Sequence, residues 1–325
     1  MFQFLIDKLR TKPQKIVFTE GTDPRILEAS ARLLSGNFLT PVLVGKPEEV
    51  LAAAEKSGFN VRGAEIIDPE NFDRMDEMVA TMVALRKGKM TEEQVREALK
   101  KGNYFGTMLV KMGYADCLLG GATYSTADTV RPALQIIKTK PGSKIVSSCF
   151  ILVRDSATGD REVLAMGDCA ICIKPTEDEL VEIGLQTAET AKVFGLDPKV
   201  AYLSYSTRGS GSGEDVDKVR NACAKAKAAA PNLAIDGEIQ FDAAVSPTVG
   251  QLKFPGSPVA GYANTFIFPD INAGNIGYKI AQRLGGFAAY GPILQGLNAP
   301  INDLSRGCNA QEVYSMAIIT AALGL

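Results

Sequence analysis

Strand, turn and helix follow one another almost without interruption along this chain, and that order limits its fold more than any other feature of the 325 residues. KIVF, Lys15 to Phe18, reads as a short buried strand. The helix after it has Asp23 as N-cap, Pro24 in its first turn and Ile26, Leu27, Leu33 and Leu34 on its inner face. PVLVG (41–45) and EIID (65–68) are the next strands, followed by a helical region in which Thr91 caps TEEQVREALKKG. ADCLLGG (115–121) is a strand ending in a glycine turn, and STADTVRPALQII continues as a helix. Alternation of this kind builds mostly parallel sheets with helices on both faces, an α/β fold.

The texture changes at Lys144. KIVSSCFILVRD and REVLAMGDCAICI are long strand-like runs separated by SATGD, which reads as a hairpin. Alternation then resumes through a helix at 177–194, the strand VAYLSYS, a helix at 214–229, the strands LAIDGEI and NTFIFPD, a helix at 273–284, the strand FAAYGPIL and a last helix at 311–323. The length suits two domains, and the hairpin marks the crossover between them.

A net charge of -2 and the lack of a long Lys/Arg block argue against a nucleic-acid surface. No apolar run is long enough for a bilayer. In MFQFLIDKLRTK, charges interrupt what would be the core of a signal peptide, while Phe2, Leu5, Ile6 and Leu9 recur at helical spacing, so the segment reads as a short docking helix. The expectation is a cytoplasmic protein. Cys169 and Cys172 form a C-x-x-C with no second pair, and within a buried strand they read as core thiols. The chain has no histidine, which removes Ser-His-Asp triads, Cys-His dyads and HExxH sites. Any general base must be a carboxylate, lysine, cysteine or tyrosine.

In parallel α/β folds ligands sit beyond the carboxyl ends of the strands. Here those loops are rich in Gly, Ser, Thr, Asn, Asp and Arg. TRGSGSGED has the small residues of a phosphate cradle before a helix, yet it lacks the P-loop GK[ST], and a flexible turn explains it equally. No dinucleotide fingerprint occurs. Asp236, Glu238 and Asp242 in DGEIQFD are either ligands for a divalent cation or solvent-facing strand-end carboxylates. In NDLSRGC, Ser305 offers a hydroxyl and Arg306 a planar fork matched to phosphate oxygens, while Glu312 falls in the first turn of the last helix, where the helix dipole also favours it.

Taken in order, NYFGTMLVKMGYADCLLGGATYSTADTVRPALQIIKTKPG, SYSTRGSGSGEDVDKVRNA, DGEIQFDAAV, FPDINAGNIGYKIAQRLGG and GPILQGLNAPINDLSRGC resemble phosphate acetyltransferase (phosphotransacetylase) in its short, single-module form. The resemblance runs from about residue 2 to the C-terminus. It implies a fold like that of the isocitrate and isopropylmalate dehydrogenases, with two α/β domains flanking a cleft that holds the active site. Domain one would be 1–143 plus 296–325, and domain two 144–295, the part that forms a homodimer.

The implied reaction is acetyl-CoA plus phosphate giving acetyl phosphate plus CoA, in either direction, with CoA as a substrate and no permanently bound cofactor or metal. By the same resemblance Arg306 grips acetyl phosphate, Ser305 hydrogen-bonds the CoA thiolate and Glu312 is the base. The family more often has Asp at the position of Glu312, so Asp303 or a bound water is a rival base. Arg131 and Arg283 match arginines that line the family's cleft, Arg86 is expected to meet the CoA phosphates, and Thr123, Ser125 and Tyr278 join them as substrate-binding residues. For each of these six an ion pair or helix cap explains the residue as well. The alternatives are a phosphate butyryltransferase, a metal- and NAD-dependent 2-hydroxy-acid dehydrogenase on the same fold, and a non-catalytic anion-binding protein.

Overall fold

A computed structural model describes residues 2–155 and 161–325. The chain forms two compact units, Met1–Pro141 with Leu297–Leu325, and Gly142–Gly296.

The first unit is built on a five-stranded sheet of β1 (Gln14–Phe18), β2 (Leu39–Val44), β3 (Glu65–Ile67), β4 (Cys117–Gly120) and β11 (Ile301–Asp303), in the order β11-β4-β1-β2-β3. Every pairing in it is parallel. Ile16, Val17 and Phe18 are fully buried, as a strand covered on both faces requires. Each such side chain contributes roughly 1.5–3 kcal/mol by leaving water. Asp23 caps the helix Pro24–Gly36 by accepting from the Arg25 N–H at 2.9 Å. That helix packs against the last one, Ala310–Ala322, as does the N-terminal helix Gln3–Thr11 through buried Leu5 and Leu9.

The second unit holds β5 (Ser147–Asp155), β6 (Arg161–Gly167), β7 (Lys199–Leu203), β8 (Ala234–Ile239), β9 (Thr265–Ile267) and β10 (Ala288–Gln295), ordered β10-β5-β6-β9-β7-β8. The β5–β6 pair is antiparallel, and the SATGD connection between them lies outside the described residues. β10 also joins antiparallel, while β6, β9, β7 and β8 run parallel. One expectation needs correction. The second run of the hairpin ends at Gly167 and does not continue through Ile173. Buried Asp168 stops it: its carboxylate accepts from the N–H groups of Ser148, Ala170, Ile171 and Cys172 at 2.8–3.2 Å, winding the chain into a turn. Cys169 and Cys172 therefore sit in that turn and not on a strand, Cys169 buried and Cys172 half-buried.

Candidate active site

Three loops of the first unit leave neighbouring strand ends. One follows β1 (19–23), one follows β4 (121–125) and one follows β11 (304–309). Because β11, β4 and β1 are adjacent and parallel, all three emerge at the same carboxyl edge. The Leu304 N–H donates to the Gly120 carbonyl at 2.7 Å, carrying the ladder one step past β11. Gly121 has φ +101°, and a Cβ there would stand 2.3 Å from Asp303 Oδ1, so only glycine lets these loops approach.

Ser305, Arg306 and Gly307 lie exposed at the tip of the turn after β11. Ser305 Oγ accepts from the Gly307 N–H at 3.2 Å and keeps its own proton free to donate. The Arg306 guanidinium makes no hydrogen bond or ion pair among the described residues. Cys308 turns inward, and burial pushes its thiol above the usual range. Glu312 is exposed on the first turn of the last helix, in a reciprocal cap with Asn309.

Two carboxylates lie beneath the turn. Asp303 is buried and accepts from the hydroxyls of Thr126 and Thr129, both at 2.5 Å. Burial raises its pKa despite those two hydrogen bonds. Glu20 takes the N–H groups of Gly121 and Thr123 at 3.0 and 3.2 Å and the Thr19 hydroxyl at 2.6 Å. Burial raises its pKa as well, against the pull of Thr19 and the backbone. Tyr124 links the two, with its hydroxyl 2.8 Å from Thr19 Oγ1 and also hydrogen-bonded to Thr129.

Among the substrate-binding candidates, Thr123 is exposed with its N–H on Glu20, and Ser125 donates to Asp128 Oδ2 at 2.7 Å ahead of the short helix Thr126–Pro132. Arg131, on that helix, is exposed and stands 3.8 Å from Asp128. Arg86 ends the helix Met75–Arg86 and donates to the Gln135 carbonyl at 3.4 Å, while its buried Nε lacks a partner among the described residues. Arg86 and Arg131 both act on the Tyr104 hydroxyl, so they belong to one neighbourhood. Ser305, Arg306, Glu312, Thr123, Ser125, Arg131 and Arg86 thus all belong to the first unit.

Tyr278 and Arg283 belong to the second unit, on the helix Ile271–Arg283 after β9. Tyr278 stacks on Phe150 with ring centroids 4.0 Å apart, and burial raises its hydroxyl pKa. Arg283 is exposed at the helix end, where a cation also suits the dipole.

The TRGSGSGED loop is filled from within. Glu238 Oε1 takes the Gly209 N–H at 2.6 Å and the Ser206 hydroxyl at 3.1 Å. Burial opposes the charge on Glu238, yet these bonds together with Arg220 hold its carboxyl below the usual range. The DGEIQFD carboxylates are each tied to a cation of the chain: Asp236 to Lys227 at 2.7 Å, Glu238 to Arg220 at 3.2 Å and Asp242 to Lys253 at 2.8 Å. Among the described residues no three His, Cys, Asp or Glu side chains are grouped to hold a metal ion.

Sequence reasoning missed Arg25, which follows the helix-starting Asp-Pro and looks like an ordinary first-turn residue. Its guanidinium meets Asp23, the carbonyls of Ala122, Arg306 and Cys308, and the Cys308 sulfur. No local signal marks it, because three of those partners lie 97 to 283 positions away.

A parallel-sheet edge carrying a guanidinium without a partner among the described residues and a serine hydroxyl, beside the buried Asp303 and half-buried Glu20 carboxyls, suits transfer of a group carried on phosphate. The family described as Phosphate acetyl/butaryl transferase matches residues 1–321. The chain belongs to that family and is an acyltransferase. It is 52% identical over 325 residues to the phosphate acetyltransferase of Bacillus subtilis (strain 168), spanning 100% of this chain and 99% of that one. A phosphotransacetylase structure from Streptococcus pyogenes superposes with a TM-score of 0.94 at 53% identity, covering 100% of this chain and 99% of the other. The fold alone is shared with a Salmonella typhimurium structure described as a 4-hydroxythreonine-4-phosphate dehydrogenase, at a TM-score of 0.55 and 12% identity, covering 96% and 100%.

Proposed function

We propose that this chain transfers an acetyl group reversibly between acetyl phosphate and CoA, by direct attack of the CoA thiolate in a ternary complex. The observation that carries the reading is the exposed Arg306 guanidinium, without a partner among the described residues, next in sequence to Ser305 on the turn after β11, in a chain of this family. A CoA thiol has a pKa of about 8.5 and is mostly protonated at neutral pH, so attack needs a base. Glu312 takes the thiol proton, with Asp303 as the rival. The sulfur then bonds to the acetyl carbon, the C–O bond to phosphate breaks, and phosphate departs with that electron pair. Arg306 holds the phosphate oxygens as charge grows there, and Ser305 donates to the sulfur.

Arg131, Arg86, Thr123 and Ser125 of domain one (1–143 with 296–325) and Arg283 and Tyr278 of domain two (144–295) are the substrate-binding residues. No bound cofactor is needed for these steps. The assembly is a homodimer through the second domain. In support, Ile276, Ile280 and Leu284 are 57%, 54% and 84% exposed at helical spacing, an apolar stripe that a second copy would cover. All six cysteines are free, which supports a reducing, cytoplasmic setting, and among the described residues no helix is long and apolar enough to cross a membrane.

The test is thioester formation from CoA and acetyl phosphate, with butyryl phosphate alongside and EDTA present. Fast turnover on acetyl phosphate is expected. Preference for butyryl phosphate moves the assignment to the butyryl branch of the family, and no thioester from either overturns it.

A further inference from the structure

We propose that Arg25 is a positioning residue for acyl transfer, which clamps the backbone of the Ser305–Cys308 turn so that Arg306 and Ser305 face their substrates; this rests on the role given to that turn above. A guanidinium has five N–H donors in a rigid fork, and Arg25 commits all five. Nε donates to Asp23 Oδ1 at 3.0 Å. One terminal nitrogen donates to Asp23 Oδ2 at 2.7 Å and to the Ala122 carbonyl at 2.9 Å. The other donates to the carbonyls of Arg306 at 2.9 Å and Cys308 at 3.1 Å.

Two consequences follow from that arrangement. Arg25 has no donor left for a phosphate, and Asp23 already neutralises its charge, so it does not grip substrate. It joins the loops after β1, β4 and β11, and it holds the carbonyl of Arg306 itself. Among the described residues the turn has no other anchor of comparable reach: residues 305–307 are exposed, and apart from the Arg25 contacts its side chains make the short Gly307 to Ser305 bond. The helix cap at Asp23 fixes Arg25 in its turn. A lysine keeps the charge there but is a point donor and cannot bridge two carbonyls on one side and a carboxylate on the other.

The experiment compares Arg25→Lys, Arg306→Gln and the double variant in the full chain, reading kcat, both KM values and the melting temperature. We expect Arg25→Lys to melt cooperatively and to lose about 10²-fold in kcat, as a misplacement near 1 Å does, with both KM values nearly unchanged. Because Arg25 acts through Arg306 and Ser305, the losses should be sub-additive, with the double variant slower than Arg306→Gln by much less than the loss in Arg25→Lys alone, whereas a merely structural contribution would add in full. Normal kcat in Arg25→Lys, a loss confined to KM, or additive losses overturns the positioning role. If Arg306→Gln is itself near normal, the reading of the turn has failed instead. Should Arg25→Lys not fold, Asp23→Asn retains an N-cap acceptor but loosens the guanidinium. It should lower kcat about tenfold at constant KM by the same geometric argument, and an unchanged kcat overturns the proposal.

Discussion

Glu312 and Asn309 cap one another: the Asn309 N–H donates to Glu312 Oε2 at 3.1 Å while the Glu312 N–H donates to Asn309 Oδ1 at 2.9 Å. The carboxylate proposed as base therefore also closes the first turn of its helix, and glutamine can fill the second role without the first. Glu312→Gln should melt like the wild type and lose turnover most at low pH, where CoA thiolate is scarce. The loss should shrink as pH approaches the thiol pKa of about 8.5. Turnover measured across that range checks it, and a loss independent of pH would point to another base, Asp303 or a bound water.

Arg306 projects from an exposed turn without a partner among the described residues, so its side chain contributes little to stability. Arg306→Gln should leave the melting temperature unchanged and lower kcat by about 10²–10³-fold, the usual cost of removing one donor to a developing anion. A paired melting curve and rate assay decide the matter.

Glu20 is a half-buried carboxyl whose pKa is raised by desolvation. Its ionisation then costs more in the folded chain than in the unfolded one. The sign follows: stability is greatest below the ordinary carboxyl pKa of about 4 and falls as pH rises through the raised folded value. Glu20→Gln removes this slope. Its stability relative to the wild type should improve with rising pH across that window, as melting temperatures taken at several pH values would show; parallel pH profiles would be inconsistent with the desolvated charge.

Leu284 is 84% exposed beyond the end of the helix Ile271–Arg283, in line with Ile276 and Ile280. For the homodimer proposed above, Leu284→Asp should leave each subunit folded and halve the particle mass. Sedimentation at micromolar concentration reads this directly, and an unchanged dimer would exclude the stripe as its interface.

Much of the architecture is written in local pattern. Ile16, Val17 and Phe18 announce β1 because a strand covered on both faces needs an unbroken apolar run, and Asp23-Pro24 announces the helix after it. β11 stays hidden because two of its three residues are polar. Asn302 and Asp303 are buried there because Thr320, Thr126 and Thr129 reach them from other elements. The apolar texture of DCAICI likewise suggests a longer β6, and nothing local reveals that Asp168 gathers the backbone into a turn. The turn at Ser305 stands out as polar residues between a proline and an apolar helix. The clamp that holds it does not, since Arg25 is joined to it only through folding.

Glu20 and Asp168 share a habit: each carboxylate plugs a cup of backbone N–H groups just past the end of a strand. Cups of this shape ordinarily attract free anions. Stoppered by the chain itself, they are closed to inorganic phosphate and sulfate alike, and the loops around them are set before any ligand arrives. Among the described residues, an anion meets the exposed Arg306 guanidinium and finds these two cups already filled. A reversible catalyst benefits from that arrangement, because phosphate must leave as readily as it enters.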